Sequence, residues 1–320
     1  MPGYPETTVE RDAWIVSRRP RRNAVDPLRP WSFFVEEERS VFGEIVPVAT
    51  VFLTNRECPW RCLMCDLWRN TLAEEAPAGA IPAQIDYALE RLPAARHIKL
   101  YNSGSFFDGK AIPRQDYSNV ATRVTAFERV IVECHPALVG DDCVYFRDLL
   151  SGSGRLEVAM GLETVHPGIL ARLNKRMTLD QFAAAADRLL SSNIDLRVFI
   201  LVKPPFMREG DAVEWACRSL EFAFECGATA ATLIPTRAGN GAMEELIESG
   251  DFSPPGLARL EAAVAYGISL DKGRVLADLW DLRRNLRCIC YEARIQRLQR
   301  LNLEQSIPPP VVCTLCGGES

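Results

Sequence analysis

The chain has 320 residues, 48% of them apolar and 25% charged, and a formal net charge of −5. That length suits one large α/β barrel-type domain with an appendage, and the acidic balance gives the surface as a whole no attraction for a phosphate backbone. No stretch is long and apolar enough to span a membrane, and eleven cysteines in a chain that opens without an apolar leader fit a reducing cytoplasm, where thiols bind metals rather than form disulfides.

Residues 1–45 are polar and broken by prolines, and read as an N-terminal extension docked through Trp14, Trp31, Phe33 and Phe34. Arg18-Arg19-Pro20-Arg21-Arg22 is not an export signal, because no hydrophobic stretch follows it. Glu36-Glu37-Glu38-Arg39 reads as a solvated turn or a short helix. From residue 46 strands and helices alternate. Strands are predicted at 48–53, 97–101, 129–133, 156–163, 196–202 and 230–235. Helices are predicted between them, at 81–92, around 117–127, at 142–150, from a Thr178 cap to 190, and at 212–226, where Gly227 ends the helix. Six such repeats predict parallel strands joined by right-handed crossovers, with the chemistry on loops after the strand C-termini. Residues 46–240 therefore form the barrel, and 241–320 a C-terminal extension. In the extension a helix is predicted near 255–265, a short strand at 274–279 and a long helix at 285–301.

The loop after the first barrel strand reads Cys58-Pro59-Trp60-Arg61-Cys62-Leu63-Met64-Cys65, a C-x3-C-x2-C spacing. Three thiolates on one loop can hold three irons of a cubane cluster, which is fully ligated only by four. The fourth iron then stays open to a substrate or cofactor. A structural zinc loop would want a fourth Cys or His nearby, and the loop contains none. Cys288, Cys290, Cys313 and Cys316 form a second set, two close pairs that could converge on zinc or on a second iron–sulfur cluster. Cys134, Cys143, Cys217 and Cys226 lie on apolar elements and read as core residues.

The three-cysteine loop resembles the signature of the radical S-adenosylmethionine superfamily, with Met64 where an aromatic residue usually precedes the last cysteine. The resemblance implies an α/β fold, a partial (β/α)6 TIM-like barrel with a small cysteine-containing C-terminal extension. It implies a [4Fe–4S] cluster on Cys58, Cys62 and Cys65, S-adenosylmethionine on the open iron, and an electron donor such as flavodoxin or ferredoxin. By the same resemblance Ser103, Gly104 and Ser105 stand where the turn after the second strand meets the cofactor's amino group, without the usual acid. Met160-Gly161-Leu162-Glu163-Thr164 resembles a run in the branch containing the Elongator catalytic subunit and methylthiotransferases, which makes Glu163 a cofactor- or substrate-binding candidate. Lys175, with Arg176 as runner-up, matches that branch's basic residue for the cofactor carboxylate. Lys203, Glu133 and His135 end strands at the same face. Local runs such as Val202-Lys203-Pro204-Pro205-Phe206 resemble the archaeosine-forming radical S-adenosylmethionine enzyme and its uncharacterised relatives.

The expected function is reductive cleavage of S-adenosylmethionine followed by hydrogen abstraction from a small, nucleobase-like or other biosynthetic substrate. A base in tRNA is the alternative, disfavoured by the acidic charge. A non-catalytic protein with two structural metal sites is the rival from another class.

Overall fold

In this computed structural model the described residues are 3–150, 152, 154–282 and 288–315. Eight strands form one curled sheet in chain order: β1 (Ser32–Arg39), β2 (Ile45–Phe52), β3 (His97–Tyr101), β4 (Arg129–Glu133), β5 (Arg155–Glu163), β6 (Asp195–Val202), β7 (Ala230–Pro235) and β8 (Arg274–Ala277). β1 pairs antiparallel with β2, and every later neighbour pairs in parallel. The six predicted parallel strands are β2 to β7, and the segment predicted at 274–279 joins them as β8. The sheet therefore draws on residues on both sides of the 46–240 segment.

Helices α2 (Ala80–Leu89), α3 (Tyr117–Arg123), α4 (Asp141–Leu149), α6 (Leu179–Ser191), α7 (Ala212–Glu225), α9 (Leu257–Ser269) and α10 (Tyr291–Glu304) accompany the strands. Two further helices, α1 (Thr8–Ser17) and α5 (Pro167–Arg172), and the later α8 (Ala242–Glu248) belong to the connections around the sheet's rim. The helix predicted from 285 starts at Tyr291, and residues 283–287 lie outside the described ones. Thr178 caps α6 as predicted, in a reciprocal pair with Gln181.

Alternation along each strand separates two environments. Ile98, Leu100, Val130, Val132, Val158, Val198, Ile200 and Leu233 are sealed in the core with helix residues such as Ile85, Phe182, Leu220 and Val264. Their inward-facing neighbours Tyr101, Glu133, Gly161, Phe199, Thr232 and Ile234 are only half-buried. Central strands of a sheet this well covered would bury both faces unless the concave side enclosed an open lumen. Tyr101 and Phe199, on strands three apart, meet edge-on across that lumen at 6.1 Å.

The floor of the lumen is ionic. Arg197 on β6 is buried and holds Glu157 on β5 and Glu38 on β1, each at 2.5 Å. Arg129 on β4 reaches Glu157 at 2.9 Å, and Lys99 on β3 reaches Glu38 at 2.6 Å. Arg274 on β8 contacts both carboxylates, at 3.3 and 3.2 Å, and so bridges the two unpaired edges of the sheet. This corrects the reading of Glu36-Glu37-Glu38-Arg39 as a turn or short helix. The run is the end of β1, and Glu36 and Glu38 face inward because Lys99, Arg197 and Arg274 supply their counter-charges.

Helix α10 covers the β8 edge with side chains in place of a strand. Gln305 exchanges hydrogen bonds with the backbone of Val275, and Asn302 does the same with Ala277, at 2.7–2.9 Å.

Candidate active site

The 58–65 loop leaves β2 at the sheet's C-terminal rim and is pinned on every side. The buried Gln84 side chain accepts from the Thr54 amide and donates to the Thr54 carbonyl, which fixes the loop's entry. The Leu72 amide donates to Asn55 at 2.8 Å and closes the neck. Asn240, buried, donates to the carbonyls of Leu63 and Cys65 at 2.8 and 3.1 Å. Asn174 donates to Arg61, and the Leu63 amide to Leu173. Leu63 itself sits fully buried with Trp14, Ile15, Met243 and Phe252, so the N-terminal helix α1 forms part of the loop's support. Asn240 and Gln84 were not singled out from sequence; a buried amide that holds loop backbone carries no motif.

Burial pushes the thiols of Cys58, Cys62 and Cys65 up to about 12. Neutral thiols in such a place become thiolates only when cations arrive, as metal coordination supplies. Each thiol also raises the titration of a neighbour in the loop, so the three share one small region.

Opposite the loop lies the turn after β3. A Cβ on Gly104 would approach Cys58 Cβ to 3.2 Å, so glycine permits the close approach of turn and loop. Ser103 precedes it in the left-handed region, φ +52°. The Ser103 hydroxyl and both side-chain carboxamide atoms of Asn102, Oδ1 and Nδ2, are buried without a protein partner. Buried polar atoms left open at a rim beside three thiols fit a polar ligand such as the amino-acid end of S-adenosylmethionine. Ser105 is engaged differently: its Oγ accepts the His135 amide at 2.8 Å.

Lys175 is buried, and its Nζ donates to Glu163 Oε1 at 2.5 Å. Asn174 and Arg176 flank it in the left-handed region, φ +57° and +58°, and Glu163 lies at φ +66° beyond a register shift in β5. Strained backbone of this kind persists where the surroundings over-determine it, often at functional sites. Gly161 lies below the pair, and any Cβ there would collide with Glu163 Oε1 and Lys175 Nζ. Burial alone would lower the Lys175 ammonium, but Glu163 and the Cys62 thiol beside it outweigh that and raise it. Arg176, the runner-up, turns outward to Asp12 on α1. Lys203 is engaged away from this pair: its ammonium meets Glu209 Oε2 at 2.7 Å and the Ser253 carbonyl at 2.5 Å. His135 stacks on Trp60 of the loop, ring centroids 3.8 Å apart, and Nε2 lies 3.0 Å from the Lys175 carbonyl. Burial and the Lys175 charge lower its imidazole to about 4, so it is neutral at physiological pH.

Glu133 faces the lumen below the rim and accepts from the Asn102 amide at 3.1 Å. Burial lifts its carboxyl from 4.5 to about 7, against the smaller pull of that amide and of Lys175. A raised acid stabilises the fold fully below its unfolded value, and that contribution is lost as pH climbs to the folded value. Replacing Glu133 by Gln keeps an acceptor for Asn102. The variant is therefore expected to lose the part of the stability decline that wild type shows between about pH 4.5 and 7, read as melting temperature against pH.

Of the second cysteine set, Cys288, Cys290 and Cys313 are brought together, while Cys316 lies outside the described residues. Cys134 and Cys143 are buried as expected, and Cys217 and Cys226 are half-buried. No helix among the described residues is long and apolar enough to cross a membrane.

No family model matches the chain. An uncharacterised protein of Methanocaldococcus jannaschii is 24% identical over 310 residues, which cover 90% of this chain and 84% of that one. Archaeosine synthase subunit beta of Methanosarcina acetivorans is 26% identical over 228 residues, 68% of this chain and 66% of the relative. Among solved structures, the archaeal Methanocaldococcus infernus Elp3 with an N-terminal deletion superposes with a TM-score of 0.49 at 14% identity, over 70% of this chain and 59% of that one. The similarity to archaeosine synthase beta subunits accompanies the C-x3-C-x2-C spacing of the three-thiol loop.

Proposed function

We propose that Cys58, Cys62 and Cys65 ligate the cluster and that the lumen beneath it receives a small planar substrate. The single observation that carries the first half is the pinned three-thiol loop facing Gly104 and the unpartnered atoms of Asn102 and Ser103. A [4Fe–4S] cluster held by these cysteines would, as in the radical S-adenosylmethionine superfamily that the loop resembles, supply the electron for reductive cleavage of S-adenosylmethionine and so for hydrogen abstraction from the substrate. The chain's own residues bind, orient and exclude water. Lys175, with Glu163, offers a fixed positive charge for a carboxylate, and Asn102 and Ser103 offer hydrogen bonds to an amino group. Ser105 supports the turn through His135, and Lys203 braces the rim through Ser253 and Glu209.

The lumen supports the second half. Phe34 stacks on Trp280 at 5.6 Å and 19°, and Phe52 packs between Trp280 and Tyr101. Phe199 meets Tyr101 from the opposite wall, so aromatic rings face the lumen from both sides. Rings so placed suit a flat heteroaromatic guest. The Thr232 hydroxyl, buried without a protein partner, and Glu133 add polar edges for it. A free small molecule is favoured over tRNA by the net charge of −5. The naming of two relatives as archaeosine synthase subunit beta favours a tRNA base. A gel shift with tRNA at low salt separates the readings, since absence of any shift removes the second.

Anaerobically reconstituted protein given reductant and S-adenosylmethionine is expected to release 5′-deoxyadenosine. Replacing Cys62 by Ala is expected to lower bound iron and reduce that release by at least about 100-fold while circular dichroism stays native. Failure of the wild type to form 5′-deoxyadenosine, with an active superfamily member alongside, would overturn the proposal.

A further inference from the structure

Beyond α10 the chain doubles back along the helix that precedes it. Arg297 Nε donates to the carbonyls of Pro308 and Pro309 at 3.2 and 2.9 Å, and Arg294 donates to the Val311 carbonyl at 3.1 Å. Both arginines are buried and anchored by Glu261 of α9. The return path delivers Cys313 to Cys288 and Cys290, at the opposite end of the helix's own sequence. Cys288 Sγ lies 3.4 Å from Cys313 Sγ and 3.4 Å from Cys290 Sγ. Arg294 Nε donates to Cys290 Sγ at 3.4 Å.

We infer that Cys288, Cys290 and Cys313 bind one tetrahedral thiophilic ion, of the zinc class, independent of the 58–65 loop. Zinc–thiolate bonds of about 2.3 Å at tetrahedral angles set ligand sulfurs about 3.8 Å apart. The observed spacings fall near that value, and all three sulfurs lie within 4.8 Å of one another. Sulfurs that serve different irons of a cluster would stand farther apart, so the geometry separates the two options that the sequence leaves open. Three thiols release protons on binding and pass to one divalent ion without redox change. The ion would clamp both ends of the segment whose middle, Asn302 and Gln305, closes the β8 edge.

Metal analysis of the full-length chain tests this. Wild-type protein is expected to carry about one zinc per chain beside its iron. A C288S/C290S variant is expected to lose most of the zinc with the iron unchanged, whereas the Cys62→Ala variant is expected to lose iron with the zinc unchanged. In protein with Cys58, Cys62 and Cys65 all replaced by Ala, added cobalt(II) is expected to give thiolate charge-transfer and intense tetrahedral visible bands at one equivalent. The inference is overturned by zinc that survives the serine substitutions, by absence of stoichiometric zinc from wild type, by an iron–sulfur spectrum that persists without the loop cysteines, or by a Cys288–Cys313 disulfide. Because zinc and iron are counted separately, loss of one assignment leaves the other standing.

Discussion

Replacing Lys175 by Met is expected to abolish 5′-deoxyadenosine formation and to destabilise the protein by about 3–5 kcal/mol. Both partners of the Lys175–Glu163 pair are nearly excluded from water, with 9% and 8% of their side chains exposed. Removing the ammonium strands Glu163 as an uncompensated charge under the rim, which is the costly way to break a buried pair. The double variant Lys175→Met, Glu163→Gln removes both charges and is expected to recover most of the stability and none of the activity. Denaturant unfolding and 5′-deoxyadenosine release, measured on the same three proteins, decide the matter. Full activity in the single variant would show that the pair only braces the fold.

Arg197→Met makes the opposite split. Arg197 holds Glu157 and Glu38 in the ionic floor, remote from the thiol loop in strand register. Its loss is expected to cost about 3–5 kcal/mol, because two buried carboxylates lose their principal counter-charge. Burial would raise the Glu157 carboxyl, yet Arg197, Arg274 and Arg129 hold it down to about 2. Stability from such a depressed acid is present above the unfolded value of 4.5 and is lost as pH falls toward 2. The variant is therefore expected to acid-unfold at higher pH than wild type, while protein still folded at low temperature keeps its turnover. An unchanged acid transition would mean that Arg274 and Arg129 suffice.

The contrast between rim and floor marks what the sequence disclosed. The parallel strands announced themselves by apolar runs, and β3, β4 and β7 fall on their predicted residues because the outward faces must be apolar to meet helices. The thiol spacing and the Met160–Thr164 run lie within short stretches, so local reading found them. β1 did not announce itself. Its three consecutive glutamates look solvated, and their partners Lys99, Arg197 and Arg274 come from strands scattered over most of the chain. The motif put Lys175 ahead of Arg176, and what it could not give is the left-handed backbone of Asn174 and Arg176 on either side, with Lys175 turned to Glu163 and Arg176 outward to Asp12. Lys203 ends its strand as its position suggested, but Ser253 and Glu209, both distant in sequence, claim its ammonium.

The amides of Asn302 and Gln305 have a consequence for self-association. A short parallel edge strand with open backbone groups is a template on which another chain can add a strand. Two planar carboxamides imitate that incoming peptide, donating and accepting where its backbone would. The cylinder thus ends on a counterfeit ninth strand that cannot be extended, and recruitment of a foreign strand must first peel a helix away.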